Sequence, residues 1–218
     1  MTQAAQDFQV SFADARRLFE LYEAEAASPR VSGSGEVLKR AALIMAVTAF
    51  ETYLKDYLRE TFPPRLAFAQ TPKDFKAVFD EVAKKWHREQ TDPVSTMDQW
   101  TGHGWKELIE KHFEHRLNAL NSPKSKIVVS LFDKFLNLDL SGYWKFEGYS
   151  YKQACDRLDE IVALRGNIAH VARKTATKHE VSKAILKKYL TFFDGLVSAT
   201  EKLPLPRGLS RPQSTFCT

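Results

Sequence analysis

The stretch from Asp156 to His170 contains an arginine and a histidine whose chemistry suits a reaction at a phosphate group. The guanidinium of Arg165 is planar and permanently charged, so it can make charge-assisted hydrogen bonds to phosphate oxygens. His170 follows after four intervening residues, and a histidine side chain can accept and donate a proton near neutral pH. Together the two residue types can bind a phosphate, move a proton and stabilise negative charge on phosphorus.

The position of Arg165 is unusual for a charged residue. Ala154, Leu158 and Ile161 recur at the spacing of one helix face, and Arg165 occupies the next position on that face. Arginine is almost never fully buried unless it is paired. The pattern therefore predicts either a helix-end or ion-paired arginine, or a functional site.

Helices are predicted to position this stretch. The predicted helices cover residues 7–27, 36–62, 74–88 and 105–120, followed by one that begins near Ser122, one that begins near Ser150 and a last one after Thr177. Pro123 is expected in the first turn of its helix, whereas Pro63 and Pro64 are expected to end the second helix. Capping boxes are predicted at Ser150 with Gln153 and at Thr177 with Glu180. Because no long segment alternates like a strand, the sequence predicts an all-α helical bundle.

Length and composition favour one domain. A chain of 218 residues with 44% apolar content can bury one core, and we expect that domain at residues 1–203, with a helical insertion at about 64–122 and a flexible tail at 204–218. The longest uncharged apolar run, residues 41–50, is too short to cross a bilayer, and the amino terminus lacks a signal-peptide pattern. We therefore expect a soluble cytoplasmic protein with no membrane association.

Two further features of the composition bear on ligands. The two cysteines are not spaced as metal ligands, so structural zinc is not expected. We expect no metal and no other cofactor. The net charge of +5 is a mild preference for polyanionic partners and by itself decides nothing.

Three segments give the chain a family resemblance. The core helix segment ALIMAVTAFETYLKDYL, the segment SPKSKIVVSLFDKFLNLDL and the helix that leads into LRGNIAH resemble the HEPN superfamily, in particular its RiboL-PSP-HEPN type. The resemblance implies a helical bundle, and many such proteins are metal-independent ribonucleases. Their motif is an arginine, four to six residues, and a histidine near the end of the bundle, and they commonly act as dimers with a composite site.

The motif occurs twice in this chain. A chain of this composition contains roughly one such pair by chance, so the spacing alone carries little weight. Arg173 and His179 also satisfy it, but they lie in a polar stretch that leads to a helix cap. Arg165 is in phase with an apolar stripe, so we assign the motif to Arg165 and His170.

The residues between Arg165 and His170 raise a question of geometry. Many family members have a polar residue directly after the arginine, whereas this chain has Gly166, and Asn167 can take that role. On an unbroken helix, positions five apart differ by about 7.5 Å along the axis and roughly 140° around it. Either Gly166 breaks the helix, or two copies meet on a twofold axis and line one cleft. The resemblance favours the second explanation, and both can hold.

The resemblance also suggests roles for further residues. Glu51 lies at the edge of the apolar stripe of the long core helix and is the natural partner of Arg165, either as support or as a catalytic group. Arg173, Lys174 and Lys178 are candidate RNA-binding residues. A lysine-rich segment of this kind, which continues into Lys183, Lys187 and Lys188, is also typical of a solvated helix face.

Two functions follow as hypotheses. The first is an endoribonuclease, as a toxin or defence effector, that uses the RNA 2′-hydroxyl as nucleophile and leaves 2′,3′-cyclic phosphate and 5′-hydroxyl ends. Its partners would be RNA, a second copy of the chain, and an antitoxin or regulatory protein. The second is a non-catalytic helical module that binds RNA, a nucleotide or a partner protein. Gly166, in place of a polar residue, mildly favours the second hypothesis.

Overall fold

The computed structural model describes residues 1–26, 35–89, 97–170 and 181–204, with Asp98 and His170 described by their backbone alone. The α-helices are α1 (Gln3–Ala26), α2 (Gly35–Phe68), α3 (Lys76–Glu89), α4 (Gly104–Asn118), α5 (Ser125–Leu131), α6 (Tyr151–His170) and α7 (Lys183–Thr200). The described ranges contain no strand, only an isolated bridge between Phe146 and Tyr149. The prediction of an all-α fold is confirmed, and none of the helices described is long and apolar enough to span a membrane.

Short helical turns connect the longer elements. A π-helical turn, Phe132–Leu136, continues α5 and ends at Asn137, whose φ of 53° is left-handed. The 3₁₀ turns are Pro72–Phe75, Met97–Trp100 and Leu140–Gly142.

Helix α2 lies at the centre of the bundle, because it contacts α1, α4, α6 and α7. An aromatic cluster fills the space between α1, α2 and α7. Phe193 of α7 lies 6.3 Å from Phe12 and 5.1 Å from Phe50, measured between ring centroids. All three rings are fully buried, and burial of each side chain stabilises the fold by roughly 1.5–3 kcal/mol.

The start of the chain is attached to the end of α7. The backbone N–H and the hydroxyl of Thr2 each donate to the carboxylate of Glu201 at 2.7 Å. Tyr53 of α2 donates to the same carboxylate at 3.1 Å. One carboxylate therefore joins three separate parts of the bundle.

The prediction that Pro63 and Pro64 end the second helix is wrong, because α2 continues to Phe68. Each proline removes one backbone hydrogen bond, but Pro63 is exposed, so water can reach the turn that loses it. Leu66 is buried, and Arg65 donates to the carbonyl of Leu136 and lies over the Phe75 ring. Tertiary packing on both sides holds the last turn in place, and the insertion boundary expected at residue 64 falls inside α2.

Helix α4 and the π-helical turn pack on the carboxyl-terminal half of α2 through aromatic rings, and α3 packs against α4 and the π-helical turn. Phe62 lies 4.1 Å from Phe113 of α4 and 5.2 Å from Phe135 of the π turn. Beside them, Glu81 of α3 forms an ion pair with Lys134 and lies 3.6 Å from Nε2 of His112. Burial lowers the pKa of His112, and the nearby Glu81 carboxylate partly offsets that effect.

The last helices differ in detail from the prediction. The helix expected near Ser122 begins at Ser125, so Pro123 precedes it instead of lying in its first turn. Helix α7 is described from Lys183, with the hydroxyl of Ser182 accepting from the N–H of Ile185 at 3.2 Å. The capping box expected at Thr177 and Glu180 and the tail from residue 205 lie outside the described residues.

Candidate active site

Helix α6, which carries the candidate catalytic residues, begins where its sequence predicts. The N–H of Ser150 donates to Oε1 of Gln153 at 2.9 Å, and the N–H of Gln153 donates to the Ser150 hydroxyl at 3.4 Å. This reciprocal pair is the predicted capping box, which satisfies two free donors at the helix start. The prediction at Ser150 is confirmed.

The same helix is anchored along its buried face. Ala154, Leu158 and Ile161 are fully buried. On a neighbouring face, Asp159 accepts from the backbone N–H of Ser125 at 2.7 Å and from its hydroxyl at 2.9 Å. Because Ser125 is the first residue of α5, a carboxylate of α6 caps that helix and fixes the position of the two helices.

Arg165 continues the buried stripe and is partly exposed. Its Nε atom is buried and has no hydrogen-bond partner in the described part of the chain. The expected partner, Glu51, instead pairs with Lys55 at 2.8 Å, and the side chains of Glu51 and Lys55 are only 14% and 20% exposed. No ion pair joins Arg165 to Glu51 among the residues described. A buried polar group without a partner is costly, so the contacts of this Nε atom with the described residues do not account for the arginine.

The helix does not break at Gly166. Helix α6 continues from Tyr151 to His170, so the explanation that Gly166 interrupts it is wrong. A Cβ atom at Gly166 would meet no described atom within 4 Å, which means that the packing of the described chain does not require glycine there. On this continuous helix, Arg165 and His170 are separated by about 7.5 Å along the axis and roughly 140° around it.

The remaining candidate residues lie as follows. Asn167 is exposed, two residues after Arg165 on the same helix. The backbone of His170 ends α6, and its side chain is not described. Arg173, Lys174, Lys178 and the alternative motif residue His179 lie outside the described residues. Within the ranges that the structure covers, no group of three or more histidine, cysteine or carboxylate side chains could hold a metal ion.

An open groove lies between α6 and α7, with a volume of about 1160 Å³. Its walls are residues 153–160 of α6 and residues 184–202, from α7 and the turn that follows it, and residues 146–149 line it as well. Across it, the hydroxyl of Tyr189 donates to Glu160 at 2.7 Å, and Arg157 pairs with Glu160 at 2.7 Å. Burial and the hydrogen bond to Glu160 raise the pKa of Tyr189 to about 12.

The sequence pattern did not predict this groove. In the sequence, Lys187 and Lys188 are recognisable only as part of a basic segment. The turn at residues 146–149, which forms one wall of the groove, has no periodic pattern of apolar residues. A Cβ atom at Gly195 would come within 2.6 Å of the Phe146 ring. Glycine at this position therefore allows the turn to pack against α7. In the sequence, a glycine inside a predicted helix was the one signal that could have indicated this close contact.

Comparison with protein families gives one match. The family model described as RiboL-PSP-HEPN matches residues 12–203, a range that includes α1 from Phe12 onwards and every later helix of the bundle. No curated protein and no solved structure matches the chain.

Proposed function

We propose that this chain, which belongs to the RiboL-PSP-HEPN family, is a metal-independent endoribonuclease. The observation that carries the proposal is the partly buried Arg165, which replaces an apolar residue in the stripe of α6 and whose Nε has no partner in the described chain. A cation at such a position, with a buried Nε that no described residue satisfies, is available for a ligand anion. Asn167 and His170 follow it within two turns of the same helix.

In the proposed reaction, the 2′-hydroxyl of RNA attacks the adjacent phosphorus and displaces the 5′ oxygen of the next nucleotide. His170 accepts the proton of the attacking hydroxyl and returns one to the leaving oxygen. Arg165 stabilises the extra negative charge on the phosphate oxygens, and Asn167 orients the same phosphate. The products are a 2′,3′-cyclic phosphate and a 5′-hydroxyl.

The continuous path of α6 supports a composite site in a homodimer. Because Arg165 and His170 are about 140° apart around one helix axis, a single chain presents them on different faces. A twofold axis near the end of α6 would bring Arg165 of one chain towards His170 of its partner, and the reverse. One cleft would then contain both pairs.

The other roles belong to the same proposal. Arg173, Lys174 and Lys178 would bind the RNA backbone, and Glu51 would support the site through its pair with Lys55. The biological role would be that of a cytoplasmic toxin or defence effector, held in check by an antitoxin or regulatory protein.

The test is incubation of purified protein with total RNA in EDTA, beside Arg165→Ala and His170→Ala variants whose folding is checked by circular dichroism. The expected result is cleavage by the unmodified protein alone, with ends that resist ligation until the cyclic phosphate is removed. A matched control is His115→Ala, an exposed histidine of α4, which should cut normally. If all four proteins are folded and equally inert, the ribonuclease proposal is wrong and a non-catalytic binding module replaces it.

A further inference from the structure

We propose that the groove between α6 and α7 binds single-stranded RNA and leads it towards Asn167 and His170. The inference rests on the proposed function for the identity of the strand as RNA and for its direction. Its evidence is separate, because it comes from the charges, rings and helix directions of the groove.

The direction of the groove follows from three contacts. The Tyr149 ring, just before α6, lies 5.1 Å from Phe192 of α7, and Glu160, later in α6, accepts a hydrogen bond from Tyr189. Together with Phe146 against Gly195, these contacts move to earlier residues of α7 as the chain passes from Phe146 through Tyr149 into α6, so the two helices run in opposite senses. Lys187 and Lys188 therefore lie beyond Glu160, on the side of the groove nearer to the end of α6.

The α6 wall continues in the same direction. Asn167 follows Glu160 by seven residues, which is about two helical turns and places both on nearly the same face. Asn167 is exposed, and the backbone of His170 is less than one turn further on. A strand that lies along this wall would therefore reach the candidate active site.

The charge of the groove is uneven along its length. Two of its carboxylates already have cationic partners, since Glu160 pairs with Arg157 and Asp194 pairs with Arg16. Lys187 and Lys188 are exposed, with no carboxylate partner in the described chain. The remaining carboxylates are Asp156, one turn earlier on α6 than Glu160, and Glu147, which precedes α6; the remaining lysine, Lys202, follows α7. In the opposed direction of the two helices, all three lie on the other side of Glu160. The end nearer to Asn167 is therefore basic and suits phosphate groups.

The opposite end of the groove offers aromatic surface. Phe146 and Tyr149 are both partly exposed, and their ring centroids are 5.2 Å apart. Glycine within a helix is unfavourable, yet Gly195 is what allows Phe146 to lie against α7. Basic side chains that follow a backbone, combined with aromatic rings on which bases stack, are the usual elements of single-strand binding. Their joint presence favours a nucleic acid strand over a peptide.

The experiment measures fluorescence anisotropy of a labelled 2′-O-methyl RNA of about ten nucleotides, a length within the site sizes of single-strand binding grooves. This probe lacks the nucleophilic hydroxyl, so binding is measured without cleavage. The test variant is Lys187→Gln with Lys188→Gln. The matched control is Lys84→Gln with Lys111→Gln, two exposed lysines on α3 and α4 that change the net charge equally.

At about 0.1 M salt, the test variant should bind on the order of tenfold more weakly, and its salt dependence should fall by about 1.4 in log–log slope, or 0.7 for each lost phosphate contact. The control should bind within about twofold of the unmodified protein. Tyr149→Leu should weaken binding by about tenfold with an unchanged slope, because stacking is not electrostatic.

Equal losses in the test and control variants would show diffuse charge attraction and overturn the inference. Absence of binding by the unmodified protein would also overturn it and leave the groove to a protein partner. The proposed nuclease activity fails separately: if the chain binds the probe through Lys187 and Lys188 but never cuts RNA, the groove stands and the ribonuclease proposal does not.

Discussion

Replacement of Arg165 by methionine tests whether this arginine is kept for a ligand or for the stability of the fold. The two roles predict stability changes of opposite sign. Methionine keeps an unbranched stem of similar length in the stripe that follows Leu158 and Ile161, and it removes only the guanidinium. If Arg165 is kept for a ligand, its removal should stabilise the fold. If Arg165 holds the bundle together, its removal should destabilise it.

The expected magnitude follows from the buried Nε atom, which has no partner in the described chain. A buried polar group without a hydrogen bond costs about 1–3 kcal/mol. Because Arg165 is only partly buried, we expect the lower end, a gain of about 1 kcal/mol in the free energy of unfolding. For a chain of this length that corresponds to a rise of roughly 2–4 °C in the melting temperature. RNA cleavage should fall by about 10²–10³-fold, the usual loss when one donor to transition-state charge is removed.

The assay is urea unfolding followed by circular dichroism, at one protein concentration so that the proposed dimerisation does not alter the comparison. Lys55→Met is a useful control, because it breaks the observed pair with Glu51 and should lower stability. A loss of about 1 kcal/mol or more in Arg165→Met, the net contribution of a typical hydrogen bond, would refute the reasoning. It would mean that this arginine has a stabilising partner.

Four other perturbations test separate parts of the structure. Gly166→Ala should raise the free energy of unfolding, measured in urea, by about 0.5–1 kcal/mol, because α6 is continuous and the new methyl group meets no described atom within 4 Å. A decrease in the free energy of unfolding would contradict a continuous α6. Co-refolded Arg165→Ala and His170→Ala chains should recover part of the cleavage activity if the site is shared between protomers, and mixed dimers without activity would exclude that sharing. Glu201→Ala should lower the free energy of unfolding by about 2–4 kcal/mol, since it leaves three donors without their acceptor. A change below about 0.5 kcal/mol would show that water replaces the carboxylate as the acceptor. The unmodified protein should lose stability as the pH falls below about 6.5, because burial lowers the pKa of His112 in the folded state and the unfolded chain therefore binds the proton first. In thermal unfolding, His112→Phe should reduce this loss of stability at low pH. Identical pH profiles of the two proteins would assign the loss to other groups.

Local sequence signals predicted the elements that depend on neighbouring residues. The capping box at Ser150 and Gln153 and the helical stripe that includes Leu158 were predicted because both are set within one or two turns of chain. The same periodicity predicted the all-α fold and the exceptional position of Arg165. These features need no knowledge of what the helix packs against.

Predictions that relied on local breakers failed where tertiary contacts are stronger. Pro63 and Pro64 lack hydrogen-bond donors, yet α2 continues because Leu66 is buried and Arg65 bonds to a distant carbonyl. Gly166 is a weak helix residue, yet α6 continues through it. In each case the loss per residue is a few kcal/mol at most, which packing of the surrounding turns can offset.

The sequence by itself determined the helical class, the position of the candidate catalytic pair on one helix and the departure of Arg165 from the apolar stripe, because all three are written in short-range patterns. The tertiary structure decided that Glu51 pairs with Lys55, that α6 is continuous and that a groove opens between α6 and α7. The Glu51–Lys55 pair spans four residues of one helix, but whether Glu51 takes that partner or Arg165, and whether two helices leave a groove between them, depends on which side chains meet across the bundle. Long-range contacts between helices leave no fixed spacing in the chain.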